Sequence, residues 1–454
     1  MQRALLAFVL LLLAAVAATA QGRLPGSLSE FYSYGDNYFI EIATLPGLVP
    51  GKGRAVVSFR LTNDLLSFRK SSRPQQKGNL YVATPTLYLE AINSDGVVAD
   101  RATWRDTARA SDFATTNSKT NFLCGSVELA LRPGVYTIRY SFDDGTPGTG
   151  FTQSTQPVRM DDFASISPAI GLPVFLRGIS GDTVMPAAID GSAFFGQRIR
   201  LYVPLSSGEP PKEIRYELFR AQKGAAVTGR ALGAGKGTML GAVTLGPAIP
   251  SGNSLLFMLR HPPDSSVPAH AYGALIDAPS DDIDVGDYVL AVTYEAGFGT
   301  VTDSVRFKVR WIDMPFSLLR PDYAIKALYP IAGDETIDLL LGGDKDAQRA
   351  ALDGFWARLD PTPATRFNEK MAEYYRRVDY AYFNFKSIGE DDGVFTDRGK
   401  IYMLNGPPSE VRREMAPDGP PSEVWLYRNA VGKKFIFVDQ SRSGDYHLVE
   451  YTNL

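Results

Sequence analysis

The feature that most restricts what this chain can fold into is a strand pattern that occurs twice. Tyr136, Ile138, Tyr140 and Phe142 alternate with Thr137, Arg139, Ser141 and Asp143. Tyr288, Leu290, Val292 and Tyr294 repeat the alternation in the second half, every pair separated by the same number of residues. A period of two puts the apolar side chains on one face of an extended strand and the polar ones on the other, so each copy reads as a half-buried strand of a sheet. Both are introduced by Gly-x-Tyr, in Gly134-Val135-Tyr136 and Gly286-Asp287-Tyr288.

The stretch Asp284-Val285-Gly286-Asp287-Tyr288 resembles the tyrosine corner of immunoglobulin-like sandwiches, where the ring hydroxyl bonds back to upstream backbone. Two residues after each tyrosine stand Ile138 and Leu290 rather than cysteine, which predicts an apolar contact between sheets. Strands at Arg54–Thr62 and Thr86–Ile92 precede the first copy. Strands at Arg198–Pro204 and Ile214–Ala221 precede the second, with Asn93-Ser94-Asp95-Gly96 and Ser206-Ser207-Gly208 as turns. The chain therefore reads as two tandem immunoglobulin-like β-sandwiches, 23–164 and 165–314. Two segments interrupt the pattern. Residues 107–121 are rich in Ser, Thr and Asn, and 222–237 in Gly and Ala, so both read as exposed loops. The run Gly233-Ala234-Gly235-Lys236-Gly237-Thr238 lacks the spacing of a phosphate loop and reads as a flexible hairpin.

The pattern changes after Pro315. Leu352, Phe355, Trp356 and Leu359 follow helical spacing, ended by Asp360-Pro361-Thr362-Pro363. A second helix is predicted over Thr365–Phe385, with Phe367, Met371, Tyr374, Val378, Tyr382 and Phe385 as its apolar stripe and Glu373–Arg377 as an i, i+4 pair. Shorter helices fit 321–341. Beyond Gly393 the period returns to two. Lys400–Leu404, Val424–Arg428, Lys434–Val438 and Tyr446–Tyr451 read as four strands, the first two separated by an insertion that carries Gly-Pro-Pro-Ser-Glu-Val twice. Helices followed by a small antiparallel sheet make 316–454 an α+β domain, and the whole chain multidomain and mainly β.

Composition narrows the function. Lys plus Arg (47) nearly balance Asp plus Glu (50), which argues against a basic nucleic-acid binder. Arg3, the apolar run Ala4–Ala20 and the small-residue site Ala18-Thr19-Ala20 read as a signal peptide over 1–20, with no transmembrane segment left after cleavage. The chain is thus expected to be exported: periplasmic, envelope-associated or extracellular. A single cysteine, Cys124, forbids an internal disulfide and sits in an apolar run with no histidine nearby, as a buried thiol would. Three histidines, no H-E-x-x-H and no G-x-S-x-G argue against a zinc site and a hydrolase elbow, and no metal or cofactor is expected. The acidic clusters Asp281, Asp282, Asp284, Asp287 and Glu390, Asp391, Asp392 do not follow a calcium-loop pattern and read as turns.

One resemblance emerges from the C-terminal motifs. Phe355-Trp356, Asp360-Pro361-Thr362-Pro363, Asn368-Glu369, Glu373-Tyr374-Tyr375-Arg376-Arg377-Val378, Gly393-Val394-Phe395-Thr396-Asp397-Arg398-Gly399-Lys400-Ile401-Tyr402 and Gly406-Pro407-Pro408 occur in that order. Together they resemble the GWxTD-domain family over about 316–454. The resemblance implies an exported bacterial protein with β-rich regions ahead of the domain, and it supplies no reaction. Val394 stands where the family has tryptophan. Two readings of this segment compete. Asp397 and Glu369 could act as a catalytic carboxylate pair on envelope glycans, with Thr396, Arg398, Arg376 and Asp379 completing a binding cleft. Alternatively, Thr and Asp cap turns and the arginines lock helix to sheet. The expectation is a non-enzymatic binding or scaffold protein that recognises a protein or polysaccharide through its C-terminal domain; the alternative is a carboxylate-dependent hydrolase.

Overall fold

A computed structural model describes residues 37–453, apart from 48, 50, 72–79, 119–120, 164–167, 188–190, 222–229, 253, 265–266, 269, 298, 415–418 and 429–430. Segment 1–20, read above as a signal peptide, lies outside the described residues, as does the first half, 222–229, of the Gly/Ala-rich stretch 222–237. The chain divides into two compact units: Asp36–Ile312 with Ala364–Phe367, and Asp313–Pro363 with Asn368–Leu454. Among the described residues, no helix is long and apolar enough to cross a membrane.

The first unit is mainly sheet, with only short helical turns at Asn63–Leu65 and Phe113–Thr116 among its described residues. Its leading strands are β1 (Tyr38–Pro46), β2 (Gly53–Thr62), β3 (Thr86–Asn93), β4 (Val98–Arg105), β5 (Phe122–Leu131), β6 (Gly134–Asp143), β7 (Phe151–Ser154) and β8 (Val158–Met160). One sheet runs β1-β2-β5; the facing sheet runs β7-β6-β3-β4, with β8 also on β6. Between them Val57, Phe59, Leu87, Leu89, Leu129 and Ile138 are almost wholly removed from water. Each such side chain contributes on the order of 1.5–3 kcal/mol. Residues 107–121, read above as a loop, instead contain strand Ala108–Ala110 and a one-turn helix at Phe113–Thr116. Short polar strands carry too little alternation to be seen in sequence.

The second sandwich is built from β9 (Val174–Ser180), β10 (Thr183–Pro186), β11 (Ile199–Ser206), β12 (Ile214–Arg220), β13 (Gly233–Lys236), β14 (Thr238–Ala242), β15 (Thr244–Ser251), β16 (Ser254–Arg260), β17 (Ala271–Ala278), β18 (Gly286–Ala296) and β19 (Gly299–Arg310). One sheet is ordered β14-β17-β11-β9-β10-β16-β15 and the other β19-β18-β12-β13, with Ala193–Phe194 on the outer side of β19. The expected flexible hairpin at Gly233–Thr238 is corrected: Gly233–Lys236 pairs with β12 and Thr238 starts a strand on β17, so the two strands join opposite sheets. Glycine here permits close approach; a Cβ on Gly235 would fall 2.8 Å from the Tyr216 hydroxyl oxygen.

The repeat seen in sequence is a repeat in geometry. The Tyr136 hydroxyl donates to Arg132 O at 3.0 Å, and the Tyr288 hydroxyl donates to Asp284 O at 2.8 Å. The glycines ahead of them have φ of 155° and 156°. The inter-sheet positions Ile138 and Leu290 are fully buried, as expected. The two sandwiches also share an apolar seam that the repeat did not announce. Ala43, Leu45 and Val56, on the outer face of the first, pack with Val174, Leu176, Tyr202, Leu245 and Phe257 of the second. Arg54 spans that seam, donating to Leu245 O at 2.6 Å while paired to Glu128.

The second unit is α+β. Its helices are α1 (Pro321–Lys326), α2 (Asp334–Leu340), α3 (Lys345–Ala357), α4 (Glu369–Asn384) and α5 (Asp397–Asn405). Its antiparallel sheet runs β20 (Glu410–Glu414), β21 (Ser422–Tyr427), β22 (Lys433–Val438), β23 (His447–Asn453) in that order. The aromatic wealth of this region goes largely inside. Phe385, Tyr402, Trp425 and Phe437 form a chain of ring contacts between helices and sheet, and Trp356 packs on Tyr374 and Tyr375. Such rings combine large buried area with edge-to-face attraction.

Two element assignments are corrected. Lys400–Leu404 is helical, part of α5, and the first strand of the sheet is Glu410–Glu414 within the expected insertion. The long helix begins at Glu369, not Thr365. Asn368 caps it, accepting from Met371 N at 2.8 Å and donating to Trp356 O at 2.9 Å. Phe367 is therefore not on the helical stripe; its ring lies against Phe195 and Trp311 of the first unit, to which Ala364–Phe367 belongs.

Candidate functional site

The segment Gly393–Gly399 joins the end of α4 to α5, and its residue types follow from crowding. A Cβ on Gly393 would lie 2.2 Å from Ala381 O, and one on Gly399 would lie 2.1 Å from Gly393 O. Both positions thus demand glycine because backbone crosses backbone there. Val394 is wholly buried, so the position occupied by tryptophan in the family serves packing in this chain. Phe395 is partly exposed and rests against Tyr329 and Tyr323.

Thr396 is the N-cap of α5. Its buried hydroxyl donates to Gly393 O at 2.8 Å and accepts from Gly399 N at 3.1 Å, closing the turn on both sides. Asp397, in the first helical turn, reaches across to the sheet. Its Oδ2 accepts from Leu448 N at 2.8 Å, with His447 Nδ1 3.7 Å away. Arg398 points inward, with its guanidinium over the rings of Tyr446 (4.2 Å) and Phe385 (5.4 Å). It donates to Gly444 O at 3.0 Å and lies 3.6 Å from Glu423. Burial pulls its pKa below the usual arginine value, an effect partly offset by Glu423.

The candidates on α4 have other work. Glu369 accepts from the Thr362 hydroxyl at 2.5 Å. Arg376 pairs with Asp313 at 2.8 Å. Asp379 accepts from Phe316 N (2.8 Å) and Ser317 N (3.1 Å), and so caps the 3-10 turn Phe316–Leu319 from a distance. Burial pushes the Asp379 carboxyl up to about 7, against the pull of those donors. Arg376 and Asp379 are three residues apart on one helix face, and together they fasten segment 313–317 to α4.

The proposed carboxylate pair is not brought together. Glu369 opens α4, whereas the Asp397 turn abuts Ala381 and Phe385 at its other end. Twelve helical residues separate Glu369 from Ala381, about 18 Å along the axis. Retaining and inverting glycosidases hold their carboxyl groups about 5–10 Å apart.

Sequence reading missed the second half of this arrangement. Glu423 is buried on the sheet face toward the helices, accepting from Trp425 Nε1 at 3.1 Å and Arg413 Nε at 2.9 Å. Its counterpart in the first Gly-Pro-Pro-Ser-Glu-Val copy, Glu410, is more exposed and pairs with Arg412 and Arg428. Register separates them: Glu410 lies opposite Leu426, and Glu423 opposite Arg413 and Phe437. Asp392 was read as a solvated turn. It accepts from Val394 N (3.0 Å) and the Tyr323 hydroxyl (2.8 Å), and burial raises its pKa. Cys124 is buried as expected, its thiol pushed up to about 11 by burial.

Residues 322–453 match the family described as the GWxTD domain. No curated protein matches the chain. Among solved structures, the chain is similar to red sea bream transglutaminase at 12% identity and TM-score 0.17, covering 63% of this chain and 34% of that one, about a third of its length. It is similar to the C-terminal domain of the Streptococcus agalactiae AgI/II polypeptide BspA at 10% identity and TM-score 0.15, covering 60% of this chain and 99% of that one. A fragment of the ICAM-5 D1–D4 ectodomain matches at 12% identity and TM-score 0.14, covering 60% of this chain and 53% of that one.

Proposed function

We propose that this chain, with a GWxTD domain at its C-terminus, is an exported, non-enzymatic binding protein of the bacterial envelope. In this reading two sandwiches, 23–164 and 165–314, present the domain of 316–454 to a protein partner. One observation carries it: the sheet of the C-terminal unit ends in an exposed edge strand with apolar side chains. In β23, Val449 is 57% and Tyr451 66% exposed, and among the described residues the strand pairs on one side only, with β22. The opposite edge, β20, is guarded by Glu410, Arg412, Arg413 and Glu414, the charged pattern that keeps an edge from pairing. An extended segment of a partner adds through backbone hydrogen bonds to the part of β23 beyond Leu448, whose own amide is taken by Asp397, with side chains such as Val449 and Tyr451 giving selectivity. The separation of Asp397 from Glu369 counts on the same side, because it leaves the hydrolase reading without its pair.

The test uses a photo-crosslinking residue at Tyr451 in the full chain, expressed in intact cells. The expected result is one protein adduct, absent when the probe is moved to Arg412 on the guarded edge. Adducts only to glycan, or hydrolysis of envelope glycans by the purified protein, would overturn the proposal. Export is tested by N-terminal sequencing of the protein from cells, with Gln21 as the expected first residue.

A further inference from the structure

Where the chain passes from the first sandwich to the second, the first unit holds a cavity of about 250 Å³. Residues 157–161, on and just after β8, form one part of its lining, and residues 170–173, leading into β9, form another. Val203 on β11, Val292 on β18 and Val305 on β19 complete the apolar walls with Val158, Ile170 and Leu172. The connecting segment is pinned by its backbone. Gly171 N donates to Pro204 O at 2.9 Å, and Leu172 N donates to Thr44 Oγ1 at 2.8 Å. A Cβ on Gly171 would lie 2.2 Å from Thr44 O, so glycine is what lets this wall run so close to β1.

Among the described residues, the charged side chains on the lining are Arg159, Asp161 and Asp303. Arg159 Nε pairs with Asp161 Oδ1 at 2.9 Å, and Arg159 Nη2 pairs with Asp303 Oδ2 at 2.6 Å. Asp303 Oδ1 accepts from Ser304 N at 2.7 Å, and Asp303 lies opposite Val292 across the ladder. One guanidinium therefore serves two carboxylates, which leaves the lining with one negative charge over. The two ends of the first pair are also unequally hydrated: the Arg159 side chain is 60% exposed and that of Asp161 20%. Water screens the attraction of so exposed a cation. Burial pushes the Asp161 carboxyl above its ordinary range; Arg159 pulls it back down, and Asp303 adds to the rise.

An apolar hollow with a surplus carboxylate at its lining is complementary to a small organic cation and repels an anion. A cavity of about 150 Å³ takes up a benzene ring, so this one has room for an apolar body of roughly five to seven carbons and a charged head. We propose that the cavity binds a primary ammonium carried on a short alkyl group, with Asp161 Oδ2 as its main acceptor and Asp303 as the second counter-charge. Val158, Leu172 and Val203 then receive the alkyl part. A free alkylamine offers this chemistry, and so does the N-terminal aliphatic residue of a peptide. The site belongs to the first unit and does not depend on the reading of β23.

The test is a ligand-detected NMR titration of the full chain with isopentylamine, isopentanol, isovalerate and L-leucinamide at neutral pH and fixed ionic strength. The expected result is saturable binding of isopentylamine about tenfold tighter than isopentanol, with no binding of isovalerate. Tighter binding of leucinamide than of isopentylamine assigns the site to a peptide N-terminus; equal or weaker binding assigns it to a free amine. Asp161→Asn keeps the shape and removes the charge. It is expected to weaken isopentylamine about tenfold and leave isopentanol unchanged, which also reports that the cavity is intact. Arg159→Gln removes the exposed cation that competes for both carboxylates, and is expected to tighten isopentylamine about threefold. Opposite signs from two partners of one ion pair mark a binding role, because loss of a mere strut acts in the same direction from either side. Asp282→Asn removes an exposed carboxylate elsewhere in the unit and is expected to change nothing. No saturable binding at millimolar amine, isopentanol bound as tightly as isopentylamine, or weaker amine binding in both pair variants would overturn the proposal.

Discussion

Replacing Thr396 by alanine separates a structural motif from a catalytic one. Thr396 Oγ1 makes two bonds in a buried turn, to Gly393 O and from Gly399 N. Loss of an N-cap hydroxyl costs roughly 1 kcal/mol. The carbonyl of Gly393 is left in a crowded, buried place where a stranded polar group costs about 1–3 kcal/mol. The two together come to about 2–4 kcal/mol, and a unit of this size loses about 2–4 °C for each kcal/mol. Differential scanning calorimetry of the full chain should therefore show the transition of the C-terminal unit fall by ~4–16 °C, with that of the sandwiches unmoved. Thr396→Ser keeps the hydroxyl and should recover most of the loss. A Thr396→Ala chain as stable as the native one would refute the reasoning, since the hydroxyl would then be available for something other than the fold.

Three further outcomes follow from the same packing. Gly399→Ala places a Cβ 2.1 Å from Gly393 O and should abolish cooperative unfolding of the C-terminal unit by circular dichroism. Val394→Trp, which restores the family's residue, should lower the urea midpoint, because the site is fully buried and filled by valine. The carboxyl of Asp379 titrates near 7 in the fold and near ~4 when unfolded. Between those values the folded chain holds a proton that the unfolded chain has released, so this group's contribution to stability falls as pH rises from about 4 through 7. The urea midpoint should be higher at pH 5 than at pH 8, and Asp379→Asn should flatten the difference; a midpoint that rises over this range in the native chain and is unaffected by the substitution would contradict it.

What was legible in the sequence was what is local. The alternation around Tyr136 and Tyr288 is a property of a few consecutive residues, and so is the Gly-x-Tyr corner, so two sandwiches could be read directly. Lys400–Leu404 was misread because apolar residues run almost continuously there, a pattern that fits a short buried strand and a short buried helix equally well. The arbitrating signal was Thr396 three residues ahead of Gly399, a cap that predicts the helix. Strand β20 was invisible for the opposite reason: Glu410-Val411-Arg412-Arg413-Glu414 is a charged edge, and its place in the sheet comes from its partner. The site depends on contacts that sequence spacing cannot show. Asp397 meets a backbone amide 51 residues away, and Asp379 meets amides 63 and 62 residues before it. Nothing near Arg60 announces that the rings of Phe39 and Phe122 will enclose it, because those contacts are made across strands far apart in sequence.

The central claim is that Asp397 belongs to the fold, joining α5 to β23 through Leu448 N. Hydrogen–deuterium exchange at the Leu448 amide, compared between the native chain and Asp397→Ala, tests it most directly. The account predicts strong protection in the native chain and at least a tenfold faster exchange in the variant, with protection at Phe435 and Phe437 in the neighbouring strand kept. Equal exchange at Leu448 in both proteins would contradict it.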